Sequence, residues 1–259
     1  PSRMTGMNPP APMRVATLGS AATFAGEAAT RMVELYEGFG EVSYAASMEA
    51  TWNALAQGQV DAVVLGIERS GQLHEGQPII EHGWFVLAEL VLPIACNLYA
   101  KPGARLQDIR KVGGHGSILQ CTAWLDANLP GIPREIHAMN SVDAAREALR
   151  GDGSMAVVGS RSVPLLVEGI QTLATRIDSG ALSNWWAIGA SARHAPEPTA
   201  LVVAARFGPG GAFSALVTSL ATLGYLLRSV GAFPHDQGVS TYEYLVSFDG
   251  PACPLAQVQ

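Results

Sequence analysis

Three short polar stretches each follow an apolar run, and they hold side chains able to do chemistry. They are Gly19–Thr23 in "VATLGSAATF", Glu68–Ser70 in "VVLGIERSG" and Gly114–Ser117 in "KVGGHGSI". His115 has an ordinary pKa near working pH, so its imidazole can carry and release a proton; a structural hydrogen bond across the glycine turn is the plainer use. Glu68 can serve as an acid if burial keeps it protonated. Ser20, Thr23, Ser70 and Ser117 supply hydroxyls that both donate and accept. Arg69 supplies either a cation for an anionic ligand or a solvated surface charge. In open α/β sheets, ligands bind beyond the carboxyl ends of the strands, so three such ends around one cleft would form a small-molecule site. A fourth feature is "ALSNWWAIG", with Trp185 and Trp186 side by side. Adjacent side chains on a strand point to opposite faces, so only one of the two can face a given core.

The elements that must position these residues follow from the apolar pattern. "MRVATLG" reads as a buried strand and "TFAGEAATRMVELY" as a helix with Phe24, Ala28, Met32 and Leu35 on one face. "SMEATWNALAQGQ" is a second helix with Ser47 as N-cap, and "VDAVVLGIE" is a strand. "FVLAELVLPIACNLYA" is long enough to cross between two lobes. A second set follows: strand and glycine turn in "IRKVGGHG", helix in "SILQCTAWLDANL", and helix in "SVDAAREALRG" with Ser141 as N-cap. Then come a strand in "SMAVVGS" and a helix in "SVPLLVEG" ending at Gly169. Repeated strand–helix–strand order predicts parallel sheets with helices on both faces. "RHAPEP" is a linker. Beyond it, "TALVVAARF", "GPGGAFSALVTSLATLGY", "LLRSVGAFP" and "STYEYLVSFDG" give a β-α-β-β order, half of a ferredoxin-like sandwich.

The bulk properties narrow the function. The chain has 259 residues, 48% hydrophobic and 15% charged, with net charge −6, which suits a globular protein and not a nucleic-acid binder. The run "WFVLAELVLPIAC" carries Glu89 and is too short to span a bilayer. The opening "PSRMTGMNPPAPM" lacks a signal-peptide core, so residues 1–12 read as a disordered tag or arm and the protein as cytoplasmic. Cys96, Cys121 and Cys253 are too widely spaced for a zinc site or a disulfide framework and read as reduced thiols; no cofactor is expected.

The same segments, in the same order, resemble the prephenate dehydratase family. "VATLGSAATFAGEAA" is similar to its opening LGP-x-GT-F-S, "GIERSG" to its PIENS, and "VGGHGSILQC" to its SHPQAL-Q-C. The segment from "TALVVAARF" to "EYLVSFDG" resembles its regulatory ACT module. The resemblance implies a two-lobed, periplasmic-binding-protein-like α/β body over residues 13–192. Lobe 1 would take about 13–90 and 180–192, and lobe 2 about 91–179. An ACT domain would follow over 198–251, joining homodimers or homotetramers. It also implies a cleft for prephenate, a cyclohexadiene dianion, with His115, Glu68 and Asn184, the first of a triplet on the returning strand, as catalytic groups. Thr23, Ser20, Arg69, Ser70 and Ser117 would be binding groups.

This sequence departs from the family at that triplet. Thr-Arg-Phe falls on Asn184, Trp185 and Trp186 in the register counted from "EGIQTLATRIDSGALSNWWAIG". Asn184 is a poor proton donor, and Trp185 brings no charge for a carboxylate. Arg69 would then take over a carboxylate contact. Trp185 would border the ligand, and the expected reaction is a non-aromatising decarboxylation in secondary metabolism. The alternatives are dehydration by a rebuilt site and an inactive ligand-binding homologue. In the regulatory module, Gly211, Ala212 and Phe213 stand where the family places its effector loop, with the charged and hydroxyl groups missing, so phenylalanine control is not expected.

Overall fold

The computed structural model describes residues 11–251, except 22, 70–71, 137–140, 181, 193–198, 208–210 and 235–241 and the side chains of Arg69 and Gln72. The terminal arm, Ser70, Cys253 and the "RHAPEP" linker therefore lie outside the described residues.

The chain opens with β1 (Met13–Leu18), α1 (Phe24–Leu35), β2 (Phe39–Ala45), α2 (Met48–Ala56), β3 (Ala62–Arg69), β4 (Gln72–Leu73), α3 (Gln77–His82) and β5 (Phe85–Pro93). It passes through Ile94 and Ala95 into β6 (Cys96–Ala100) and β7 (Lys111–Gly114). A 3₁₀ turn (Gly116–Cys121) then leads into α4 (Thr122–Asn128). β8 (Arg134–Ile136), α5 (Ser141–Arg150), β9 (Met155–Ser160), α6 (Val163–Leu166) and β10 (Gln171–Ala174) complete that part. β11 (Leu182–Gly189) returns, and β12 (Ala200–Arg206), α7 (Ala212–Thr222), β13 (Leu226–Pro234) and β14 (Tyr242–Asp249) form the C-terminal module.

These strands make three sheets. Lobe 1 has the order β2-β1-β3-β11-β5 with β4 paired to β3, lobe 2 has β10-β6-β9-β7-β8, and the module has β12-β14-β13. The sheets of the two lobes are mixed, which corrects the parallel expectation. β1 runs parallel to β2 and β3, but β11 is antiparallel to β3 and to β5. In lobe 2, β7 is parallel to β8 and β9, while β6 is antiparallel to β9. The reason is the connection. β5 and β11 are the two passages between the lobes, and they run in opposite directions side by side.

Other differences are local. β2, β8 and α3 carried too little apolar pattern to be read, being half exposed or only three to six residues long. On α1 the buried stripe is Ala25, Ala28, Ala29 and Met32, whereas Leu35, the final helical residue, is exposed. Small side chains let that helix lie close on β1 and β3. The segment "SILQC" is a 3₁₀ turn rather than α-helix, and α5 starts on Ser141 itself instead of being capped by it.

Lobe 1 has a core on each face of its sheet. One holds Val15, Ala28, Met32, Val64 and Trp185; the other holds Leu65, Ile67, Ile79, Trp186, Ile188 and Leu245. Leu245 comes from β14, so the module shares the second core. Its approach is close: a Cβ added at Gly76 would stand 2.8 Å from a Leu245 methyl and 3.2 Å from the Phe233 ring. Trp186 is fully buried in that shared core. Trp186→Ala should cost about 3–5 kcal/mol, by loss of transfer energy plus the cavity left behind. Urea unfolding measures it, and a loss under 1 kcal/mol would contradict the shared core.

Candidate active site

A cavity of about 470 Å³ lies between the lobes. Its lobe 1 wall is built from Leu18, Gly19 and the start of α1, from the start of α2 and from the inner face of β3 and β11. Its lobe 2 wall is the turn from His115 to Gln120, the start of α5 and the end of β9. Gly19 takes φ +91°, a conformation that favours glycine, and a Cβ there would meet Thr23 at 3.0 Å. That tight turn lets Thr23 cap α1: its Oγ1 accepts from the Gly26 amide at 3.1 Å and donates to the Ser20 carbonyl at 2.7 Å. Ser47 caps α2 in the same way, accepting from the Ala50 amide at 3.0 Å. Gly116 and Ser117 open the 3₁₀ turn and Ser141 opens α5, all bordering the cavity. The amino ends of helices attract anions through exposed N–H groups and the helix dipole. No lysine or arginine lines the cavity among the described residues.

β11 divides its side chains between two faces. Ser183 and Trp185 border the cavity, and the Trp185 ring lies over Gly66, where an added Cβ would meet it at 3.2 Å. Asn184 and Trp186 point the other way. Glu68 joins them there because β3 carries one extra residue: Asn184 pairs with Glu68 but Trp186 pairs with Leu65. Such a bulge resets the alternation of the strand.

On that outer face sits a buried charge cluster. Arg228, from β13 of the module, donates from Nε to Glu68 at 3.0 Å, from Nη1 and Nη2 to Glu89 at 3.0 and 2.7 Å, and from Nη1 to Asp249 at 2.7 Å. The Asn184 amide donates to Glu68 at 3.3 Å and to Glu89 at 2.9 Å, and the Trp186 indole N–H donates to Glu89 at 3.3 Å. Side-chain exposure is 15% for Arg228 and 5% for Glu68. Burial pushes the Glu68 carboxyl up; the Arg228 charge opposes this and the Glu89 charge adds to it. Burial alone would lower the Arg228 guanidinium, but its carboxylate partners outweigh that and raise it.

A sequence profile described as prephenate dehydratase matches residues 15–190. The chain belongs to the prephenate dehydratase family. It is 28% identical over 255 residues to a prephenate dehydratase of Amycolatopsis methanolica, covering 92% of this chain and 79% of that one. The prephenate dehydratase of Arthrobacter aurescens, solved in complex with L-Phe, superposes with a TM-score of 0.72 at 21% identity, covering 92% of this chain and 80% of that one. A structure described as a novel type of quorum quenching acylase superposes with a TM-score of 0.68 at 19% identity, covering 94% and 90%. At such identities the likeness establishes the fold alone.

Within this member of the prephenate dehydratase family, the structure brings Thr23, His115, Ser117 and Trp185 to one cavity. Ser20 is not among its lining residues; it sits in the β1–α1 loop with its carbonyl bonded to Thr23. Glu68 and Asn184, expected in the cleft, are on the opposite face, moved there by the bulge and by strand alternation. Arg69 ends β3 with its side chain outside the described residues. Gly211, Ala212 and Phe213 border a separate pocket of about 350 Å³ in the module, walled by Phe207, Val230 and Tyr244. Sequence reasoning missed Ser183, Glu89 and Arg228. The last two had a signal: each is the lone charge inside an apolar strand, "FVLAELVLP" and "LLRSVGAFP".

The raised Glu68 carboxyl gives a signed pH dependence. The folded chain holds that proton more tightly than the unfolded one, so stability falls as pH climbs from 4.5, the ordinary glutamate value, through the raised one. Glu68→Gln should flatten the slope of unfolding free energy in the range just above pH 4.5. Urea titrations at several pH values check it, and an unchanged slope would assign the proton elsewhere.

Proposed function

We propose that this chain is a lyase that converts prephenate to phenylpyruvate, releasing carbon dioxide and the ring hydroxyl. The observation that carries this reading is Ser183, a hydroxyl 1% exposed on the cavity wall. With the family triplet read one residue earlier, Ser183, Asn184 and Trp185 stand for Thr, Arg and Phe: hydroxyl for hydroxyl, amide for guanidinium, ring for ring. The expectation of decarboxylation with retention of the hydroxyl rested on the later register, with Asn184 and Trp185 both in the cleft; Trp185 does border it. Asn184 faces away, and the cleft keeps a hydroxyl.

The reaction divides among the lining groups. The bond from the ring to its carboxylate breaks and carbon dioxide leaves. The electron pair moves through the ring, which becomes aromatic as it expels the hydroxyl opposite. The departing oxygen needs a proton, for which His115 is the titratable group on the cavity wall, and a hydrogen bond, which the Ser183 hydroxyl can donate. The helix starts at Thr23, Ser47, Ser117 and Ser141 suit a ligand with two carboxylates reaching both lobes. The Gln120 Oε1 is buried and unpartnered among the described residues, so it can accept from a ligand hydroxyl. Trp185 supplies an apolar wall that keeps water from the carboxylate.

Incubation with prephenate, followed by proton NMR, tests this reading. Phenylpyruvate supports it. A dihydro-hydroxyphenyl product would favour the decarboxylase reading, and untouched prephenate an inactive homologue. Ser183→Ala should lower kcat by about 10²–10⁴ while Ser183→Thr retains activity, the range expected for loss of proton-transfer assistance. In the module, the pocket at Phe213 has three aromatic rings, Phe207, Phe213 and Tyr244, and no charged lining residue among those described. A zwitterionic amino acid finds no charge partner there, so calorimetric titration with phenylalanine should show no saturable binding.

A further inference from the structure

The segment Ser183–Trp186 presents two nearly equivalent faces. One offers a small polar group and an indole, Ser183 and Trp185; the other offers the same pair of chemistries, Asn184 and Trp186. Hydrophobic patterning fixes strand register only where the two faces differ, and a slip of one residue would exchange them. The bulge in β3 opposite this segment loosens the ladder further. Something outside the alternation must choose which face meets the cleft.

The charge cluster makes that choice. Glu68 lies on β3 and Glu89 on β5, the two strands that flank β11, at the positions paired with Asn184 and Trp186. Together they capture the Asn184 amide and the Trp186 indole N–H. Neither Ser183 nor Trp185 could meet both carboxylates equally well, since serine has one donor, and the slip would put Leu182 on the cavity wall in place of Ser183. The two carboxylates are held together by one guanidinium. Arg228 uses Nε on one and both Nη atoms on the other, a fork that a lysine ammonium cannot reproduce. The other charged group facing Arg228 is Asp249 of β14. Without the guanidinium, three buried carboxylates would confront one another.

We propose that Arg228 is a positioning residue for the cleft: by pinning Glu68 and Glu89 it fixes β11 so that Ser183 and Trp185 face the ligand, which makes the docked C-terminal module part of the active site's construction. The activity arm of its test rests on the prephenate reading above; the structural arm does not.

The test uses the full chain with Arg228→Met and Arg228→Lys, read by amide hydrogen exchange and by prephenate turnover. Exchange at the β11 peptide should rise about tenfold or more in Arg228→Met, and less in Arg228→Lys, while β6 and β9 in lobe 2 stay protected. kcat/KM for prephenate should fall in the same order, by about tenfold or more for Arg228→Met, with most of the loss in kcat because the groups displaced act on the reacting bonds. If Arg228→Met does not fold, Arg228→Lys carries the comparison. Faster exchange confined to β13 and β14, with β11 unchanged, overturns the proposal and leaves Arg228 as a docking contact only. Unchanged kcat in a variant whose β11 exchanges faster also overturns it. A wild-type chain that leaves prephenate untouched overturns the prephenate reading alone, because the exchange arm needs no substrate.

Discussion

β11 has no solvent face. From Ser183 to Gly189 every residue is buried, with a neighbouring strand on each side and a core above and below. Every polar group on such a strand needs an internal partner, since an unpaired buried group costs more than a hydrogen bond returns. The outer face meets most of this demand with the Arg228 cluster, which leaves the Asn184 Oδ1 without a partner among the described residues. The inner face meets it by opening onto a cavity, where a ligand or water can bond to Ser183. One strand thus separates a charged polar network from a site kept open for a ligand.

The cavity treats charge differently from the cluster behind it. Its described lining holds hydroxyls, an amide and an imidazole, set at the starts of α1, α2, α5 and the 3₁₀ turn. Two described cations of this region are engaged elsewhere: Arg228 on the back of the sheet, and Arg161 from lobe 2 against Glu27 of α1 in lobe 1. An anion entering the cleft would be met by backbone dipoles and hydroxyls, which are already oriented and need little reorganisation. Positive dipoles fixed by helix caps are rigid in a way that a long arginine is not, which suits a preorganised anion site. The pair Arg161–Glu27 bridges the two lobes, so cleft geometry and surface electrostatics are linked there.

The sequence carried much of this layout. The strand–helix order, the two polar loops at Thr23 and His115, the cap at Ser47, and the β-α-β-β tail follow from local pattern and turn chemistry. β13 falls on "LLRSVGAFP" residue for residue. What local pattern could not supply was facing. Glu68 sits two residues past Gly66 and by plain alternation belongs in the cleft; the extra residue in β3 turns it outward, and a bulge leaves no reliable mark in one sequence. Asn184 and Trp185 were both expected in the cleft, but adjacent residues on a strand alternate, and of the two only Trp185 borders it. The lone Glu89 and lone Arg228, each inside an apolar strand, were legible as buried charges, but their pairing spans 139 residues of chain and depends on how the module docks.

That docking bears on what kind of part the module is. An appended regulator would meet the body through a polar, separable surface. Here Leu245 enters the same core as Trp186, Phe233 and Val202 pack against it, and the guanidinium that bridges the body's own Glu68 and Glu89 arrives from β13. A body stripped of the module would expose apolar surface and leave two buried carboxylates uncompensated, behind the strand that carries its best candidate hydroxyl. The energetic boundary of the fold therefore lies outside the visible boundary between sheets. The cleft lies between two lobes, and three sheets are needed to shape it.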